Sequence, residues 1–355
     1  MALVEFNFRP GIDKQDTPAG AENRWVDSDN VRFRYGLPEK VGGWASLTTD
    51  TISGVVRKQH AFVDNDGNRY VALGSDKFLL IYFEGQLYDI TPLKATLTSA
   101  TIATTNGSPT CTITKSTHGL KVGDIVQLDS VTLPGGTGFN DADFEDKNFQ
   151  VISVPTTSTF TINQSSNASG TVSTGGSLSI KPYEPVGPRE QTYGYGWGMD
   201  PWSNGNWGEA AAASDVTLEP GLWSLDNFGE VLVATILNGK TFTWDAGIGA
   251  RLTTRASTTT SNFATGNNPT KTRSTLISPT TRHLIHLGTE TIIGNAGTQD
   301  DMFIRFSDQE DINTFIPSAT NTAGTQRLQD GTKIMGALKA KEVILIWTDN
   351  ALYTM

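Results

Sequence analysis

A chain of 355 residues with 37% hydrophobic and 9% aromatic residues can bury real cores, yet only 18% of it is charged. Its 36 glycines and Ser/Thr-crowded segments mark a turn-rich, β-rich protein of one to three domains. The formal net charge of -10 excludes a surface that neutralises nucleic-acid phosphates indiscriminately, and the single Cys111 excludes a disulfide framework or a cysteine zinc site.

The N-terminus, MALVEFNFRPG, lacks a basic-then-apolar leader, and no apolar run approaches the ~20 residues of a membrane-spanning helix. Folding in a cytoplasm without membrane insertion is therefore expected. Within residues 1–50, Pro10-Gly11, Pro18, Gly20, Gly36, Pro38, Gly42 and Gly43 surround NVRFRYG. There Val31, Phe33 and Tyr35 alternate with Arg32 and Arg34, the period-two pattern of a strand with one basic face. Residues 54–92 read as hairpins turning at Asp66-Gly67 and Glu84-Gly85.

One strand-turn-strand pattern recurs at Arg69–Tyr82, Glu230–Trp244 and Glu342–Met355. In the second copy an apolar run, Val231–Ile236, meets Asn238-Gly239 and returns through Thr241–Trp244; in the third, Val343–Trp347 meets Asp349-Asn350 and returns through Leu352 and Tyr353. Recurrent hairpins with Gly, Asn and Asp punctuation predict an all-β, β-propeller-like body rather than a helical solenoid.

From about Leu93 to Ile180 large residues give way to Thr and Ser, with short strands predicted at TCTIT, DIVQL, FQVISV and TFTI. This stretch reads as a small β-barrel or sandwich inserted into the body, in preference to a divergent blade. The expected organisation is 1–92, N-terminal strand segment and first hairpins; 93–182, the insert; and 183–355, an aromatic-Gly loop followed by further blades. That loop centres on TYGYGWGMDPWSNGNWG, and the best helix candidate is one short turn near Glu209–Ser214. Met355 falls inside a returning strand, so the chain reads as the N-terminal or the ordered part of a longer polypeptide.

The residues with catalytic or ligating chemistry do not assemble into a motif. His283 and His286 lie three apart on a predicted strand and face opposite sides, and His60 and His118 have no placed nucleophile. DNDGN at Asp64–Asn68 begins like a calcium loop but lacks the distal bidentate Glu, which favours a plain Asp-Gly turn. Gly194, Gly196 and Gly198 lack the flanking strand and helix of a phosphate-binding loop; their aromatic neighbours Tyr195, Trp197, Trp202 and Trp207 read as subunit-interface anchors, with sugar stacking as the alternative. Asp300, Asp301, Glu310 and Asp311 read as surface acids rather than a glycosidase pair. No catalytic residue, cofactor or metal is assigned.

Three segments, NVRFRYGLPEKVGGW (Asn30–Trp44), LWSLDNFGEVLVATILNGKTFTWD (Leu222–Asp245) and IRFSDQEDINTFIPSATNTAGTQRL (Ile304–Leu328), resemble in that order the tail nozzle proteins of short-tailed bacteriophages. These are also described as tail tubular protein B or packaged-DNA stabilisation proteins. The insert, with THGLKVGDIVQL and FQVISVPTTSTFTI, resembles small β-domains of phage structural proteins. The resemblance implies a non-enzymatic virion tail subunit, a hexameric ring beside the adaptor and tail fibre proteins. Duplex DNA would pass through that ring without tight binding. Carried over residue by residue, it marks Arg32 and Arg34 as interface residues and Gly36, Gly43, Trp44, Arg305, Ser307, Asp308 and Trp347 as fold or assembly residues. The competing expectation is a carbohydrate-binding or depolymerising tail component that uses the aromatic loop.

Overall fold

The computed structural model describes residues 8–43, 45–190, 219–258 and 268–355. Among them there is no α-helix, only 3-10 turns at Asp141–Asp143 and Ala296–Thr298, and the fold is all-β and propeller-like as the hairpin pattern predicts. The chain divides into two compact units, Met1–Thr49 and Asp50–Met355.

In the first unit, β1 (Val31–Arg34) and β2 (Leu37–Lys40) form an antiparallel hairpin with Arg32 opposite Glu39. The connecting Tyr35 and Gly36 both have positive φ, 50° and 81°, the backbone sense that a two-residue hairpin turn needs to match strand twist. Val31 and Phe33 are half-buried while both arginines face out.

The second unit contains four antiparallel meanders. The first comprises β3 (Val56–Val63), β4 (Arg69–Ser75), β5 (Leu79–Phe83) and β6 (Gln86–Asp89), in that spatial order. Strict alternation puts Phe62, Tyr70, Ala72, Leu79, Ile81 and Phe83 on one buried face. The turn at Glu84-Gly85 again has positive φ at both residues, 47° and 86°.

A seven-stranded sheet follows: β7 (Leu97–Thr104), β8 (Thr110–Thr114), β9 (Ile125–Thr132), β10 (Asn148–Gln150), β11 (Ser153–Thr156), β12 (Thr159–Asn163) and β13 (Val172–Pro182). Its order, β10-β9-β13-β7-β8-β12-β11, curls so that β10 and β12 from opposite halves approach each other. The enclosed core, including Ile102, Cys111, Ile113, Leu128, Phe144 and Phe160, draws every buried member from within residues 100–180. Burial pushes the Cys111 thiol up to about 11, so it stays a neutral packing group. Within β13 the register shifts at Gly175 and beside Gly176, where φ is +67° and a Cβ would lie 2.3 Å from the Thr132 carbonyl oxygen. Such a glycine bend lets the long strand wrap around the core.

Chain entry and exit to this sheet are adjacent. Lys94 N–H donates to Pro182 O at 2.8 Å, and Glu184 N–H to Pro92 O at 2.9 Å. The Tyr183 ring packs edge-on against Phe78, and its hydroxyl meets Asp89 at 2.7 Å, Asn148 at 3.1 Å and Arg255 at 2.8 Å. This cluster ties the curled sheet to the meanders.

The second meander is β14 (Trp223–Phe228), β15 (Val231–Ile236) and β16 (Thr241–Asp245), extended by reciprocal backbone bonds between Thr243 and Ser257. The third is β17 (Thr272–Ile277), β18 (Leu284–Thr289), β19 (Phe303–Phe306) and β20 (Gly324–Arg327), and the fourth β21 (Ile334–Lys339), β22 (Ile344–Thr348) and β23 (Leu352–Thr354).

Stacking follows from side-chain alternation. Leu232, Ala234 and Ile236 pack toward the first meander with Trp223 and Trp244; Val231 and Val233 point the other way, against Ile277, Leu284 and Phe315 of the third. All six residues of β15 are buried, which explains why VLVATI is apolar without alternation. Leu276, Ile285, Leu287 and Ile304 then meet Ile334, Ile344 and Ile346 of the fourth. Close approach also sets Gly74: a Cβ there would lie 2.6 Å from the Trp223 ring, whose Nε1 donates to Ser75 O at 2.9 Å.

Candidate axial cleft and assembly residues

Each meander begins on the same side of the stack, so β3, β14, β17 and β21 converge on a cleft of about 600 Å³. All four are edge strands of their sheets, so one edge of each has no ladder partner. Side chains clasp the strands together. Ser224 Oγ donates to Thr275 O at 2.6 Å and accepts from Thr275 N–H at 3.2 Å, and Ile277 N–H donates to Asp226 Oδ2 at 2.7 Å.

Asp226 is the electrostatic centre of the clasp. Its carboxylate is 5% exposed and accepts Lys339 Nζ of β21 at 2.5 Å, with His60 Nε2 of β3 at 4.0 Å. His60 Nε2 lies 2.8 Å from Asn227 Oδ1. A buried carboxylate held by an ammonium and two backbone N–H groups is compensated, whereas losing the ammonium would strand a buried charge.

A second network sits at the mouth. Arg273 Nη2 is 2.8 Å and Lys333 Nζ 3.0 Å from Glu219, and Arg273 Nη1 reaches Asp301 at 3.4 Å. Burial works against the charged Glu219 carboxylate, but the hydrogen bond from Lys333 and the neighbouring Arg273 outweigh it and hold it below the usual carboxylate range. On β3, Arg57 donates to Gly221 O at 2.6 Å and to Arg189 O, and Lys58 lines the cleft unpaired among the described residues. In an acidic chain the cleft walls therefore carry Arg57, Lys58, Arg273 and Lys339 against Asp226. These residues come from four separate segments, and no local motif foretold their meeting.

The residues singled out in sequence fall in different places. Arg32 forms a 3.1 Å ion pair with its own cross-strand Glu39, and Arg34 stands over the Tyr35 ring at 5.4 Å. Gly36 makes the β1–β2 turn, and Gly43 is exposed. Arg305 is buried and donates to the carbonyls of Phe315, Glu290 and Thr291. Ser307 Oγ accepts Leu284 N–H at 2.9 Å, and Asp308 accepts from Thr322 and Gln309, contacts that hold its carboxyl below the usual range. Trp347 is 37% exposed on the outer face of the fourth meander. Trp44, Tyr195, Trp197, Trp202 and Trp207 lie outside the described residues, as does the helical turn expected near 209–214.

The weaker chemical candidates have structural partners. Asp64 accepts from Asn68 N–H and Nδ2 at 2.8 Å each and from Tyr70 OH at 3.0 Å, closing an Asp-Gly turn. Asp300 pairs with Arg327, Asp301 with Arg273, Glu310 with Arg282, and Asp311 caps Asn313 and Thr314. His286 is fully buried on β18, facing the opposite side from His283, and neither ring nitrogen has a hydrogen-bond partner. Asp129, Glu145 and Asp146 approach one another on the curled sheet, but Lys181 already pairs with Asp129 and Glu145 accepts from Ser130 and Val131 N–H.

No protein-family model and no curated protein matches the chain. Among solved structures, "Phage phi92 endosialidase" is similar over 81% of this chain and 40% of that one, at 16% identity and a TM-score of 0.23. A likeness this loose carries no argument about activity.

Proposed function

We propose that this chain is a structural, non-catalytic subunit of a short-tailed phage tail, forming the distal DNA conduit as a closed ring of six copies, the number the resemblance implies. The reading rests on one observation. Two of the three sequence segments that resemble tail nozzle proteins coincide with complete pieces of the fold, Asn30–Trp44 containing the β1–β2 hairpin and Leu222–Asp245 being the second meander, and Ile304–Leu328 covers most of β19 and all of β20. Folded in the host cytoplasm, the subunit would join adaptor and tail fibre proteins in the virion tail. A stack of rigid sheets suits a load-bearing wall. The surplus of 37 Asp and Glu over 27 Lys and Arg suits a wall that lets duplex DNA slip past.

Sedimentation and electron microscopy of the purified chain test this reading, together with a salt titration of DNA binding. A ring with an open axis, and no tight DNA complex at moderate salt, supports it. Submicromolar duplex binding with a steep salt slope would make the protein a DNA-gripping plug instead. Glycan binding by a non-ring species would favour the carbohydrate-binding role.

A further inference from the structure

We propose that the axial cleft is an anion-binding site, taking a small ligand that carries a phosphate or carboxylate group. The inference is independent of the tail reading and rests on which charges in the cleft are already matched. Asp226 is matched by Lys339, while Glu219 and Asp301 are matched by Arg273 and Lys333. Two adjacent cations on β3 have no carboxylate among the described residues. Arg57 is held in place by the carbonyls of Gly221 and Arg189, which orient its guanidinium without neutralising it. The Lys58 side chain, exposed at the rim of the cleft, has neither hydrogen bond nor ion pair among the described residues.

The geometry adds to the charge. Four edge strands line one concavity, and its volume of about 600 Å³ lies within the ~300–1,000 Å³ typical of small-ligand sites. An oxyanion there would meet a flexible ammonium and a pre-oriented guanidinium, groups that recognise phosphate and carboxylate. A chain of net charge -10 gains no general solubility from clustering cations in a cleft, so the local reversal of sign points to a ligand.

The test is calorimetric titration of the full chain with pyrophosphate and, separately, with citrate, each against sodium chloride of equal ionic strength. The two arms separate a phosphate source from a carboxylate source. Saturable binding of at least one anion above the chloride control is expected, weakened about tenfold or more in Lys58→Glu. Lys121→Glu, in the loop between β8 and β9, should bind as the parent does. Should Lys58→Glu fail to fold, Lys58→Gln answers the same question. Absence of binding by both anions, or undiminished binding in the Lys58 variant, overturns the proposal.

Discussion

Acidification should destabilise the third meander through His286 before it reaches the carboxylates. The ring sits on β18, opposite Arg305 on β19 and edge-on to Phe315 at 5.0 Å, fully buried with both nitrogens unpaired. Among the described residues no carboxylate pairs with the ring, while Glu290 accepts from Thr270 and Gly294 N–H. Burial, reinforced by the Arg305 charge, drives the imidazole down from 6.5 to about 3. The folded state therefore refuses a proton that the unfolded chain accepts. Between those two values stability falls with decreasing pH by about 1.4 kcal/mol per unit, roughly 5 kcal/mol in all. From pH 6.5 to 4.5 the loss is about 2 kcal/mol, because the unfolded imidazole is already half-protonated at the upper limit. Urea unfolding across that range, for the parent and for His286→Leu, isolates the contribution, since carboxylates and His283 are common to both proteins. The variant should lose about 2 kcal/mol less than the parent over this range. Parallel pH profiles would show that His286 is hydrated or paired and refute the reasoning.

Three further outcomes follow from packing. Deleting residues 93–182 and joining Pro92 to Tyr183 through a short linker should leave a soluble β-rich product, read by circular dichroism and gel filtration, because the curled sheet keeps its own core and its ends are adjacent; aggregation would contradict this. Gly74→Ala should cost about 2 kcal/mol in chemical denaturation, since its Cβ would meet the Trp223 ring at 2.6 Å; a neutral effect would show that the first two meanders can move apart. Lys339→Met should cost about 2 kcal/mol at pH 7 by leaving Asp226 short of its ammonium, the partial solvent exposure of Lys339 keeping the loss below that of a fully buried pair; Asp226→Asn in the same background should recover part of it.

The hairpins were legible because their signals are local. Val231–Ile236 reads as a strand by its apolar content, and Glu84-Gly85 as a turn by its residue types. β7, LTSATIAT, and β13, VSTGGSLSIKP, went unrecognised: small residues and the Gly175-Gly176 bend look like loop, and only the curled core makes them strands. FQVISV, read as one strand, breaks at Val151 and Ile152 between β10 and β11, which pair with different neighbours. The Arg32–Glu39 ion pair follows from the hairpin register, which sets the two residues directly opposite each other. The cleft was hidden for a different reason. Arg57, Asp226, Arg273 and Lys339 are ordinary polar residues at four unrelated positions, brought together only when their sheets stack.

The most direct test of the proposed conduit is an electron-microscopy reconstruction of the purified chain viewed along its symmetry axis. A closed cyclic ring around an open channel wide enough for duplex DNA is expected. A monomer at all concentrations, or a trimer around a filled axis, would contradict it.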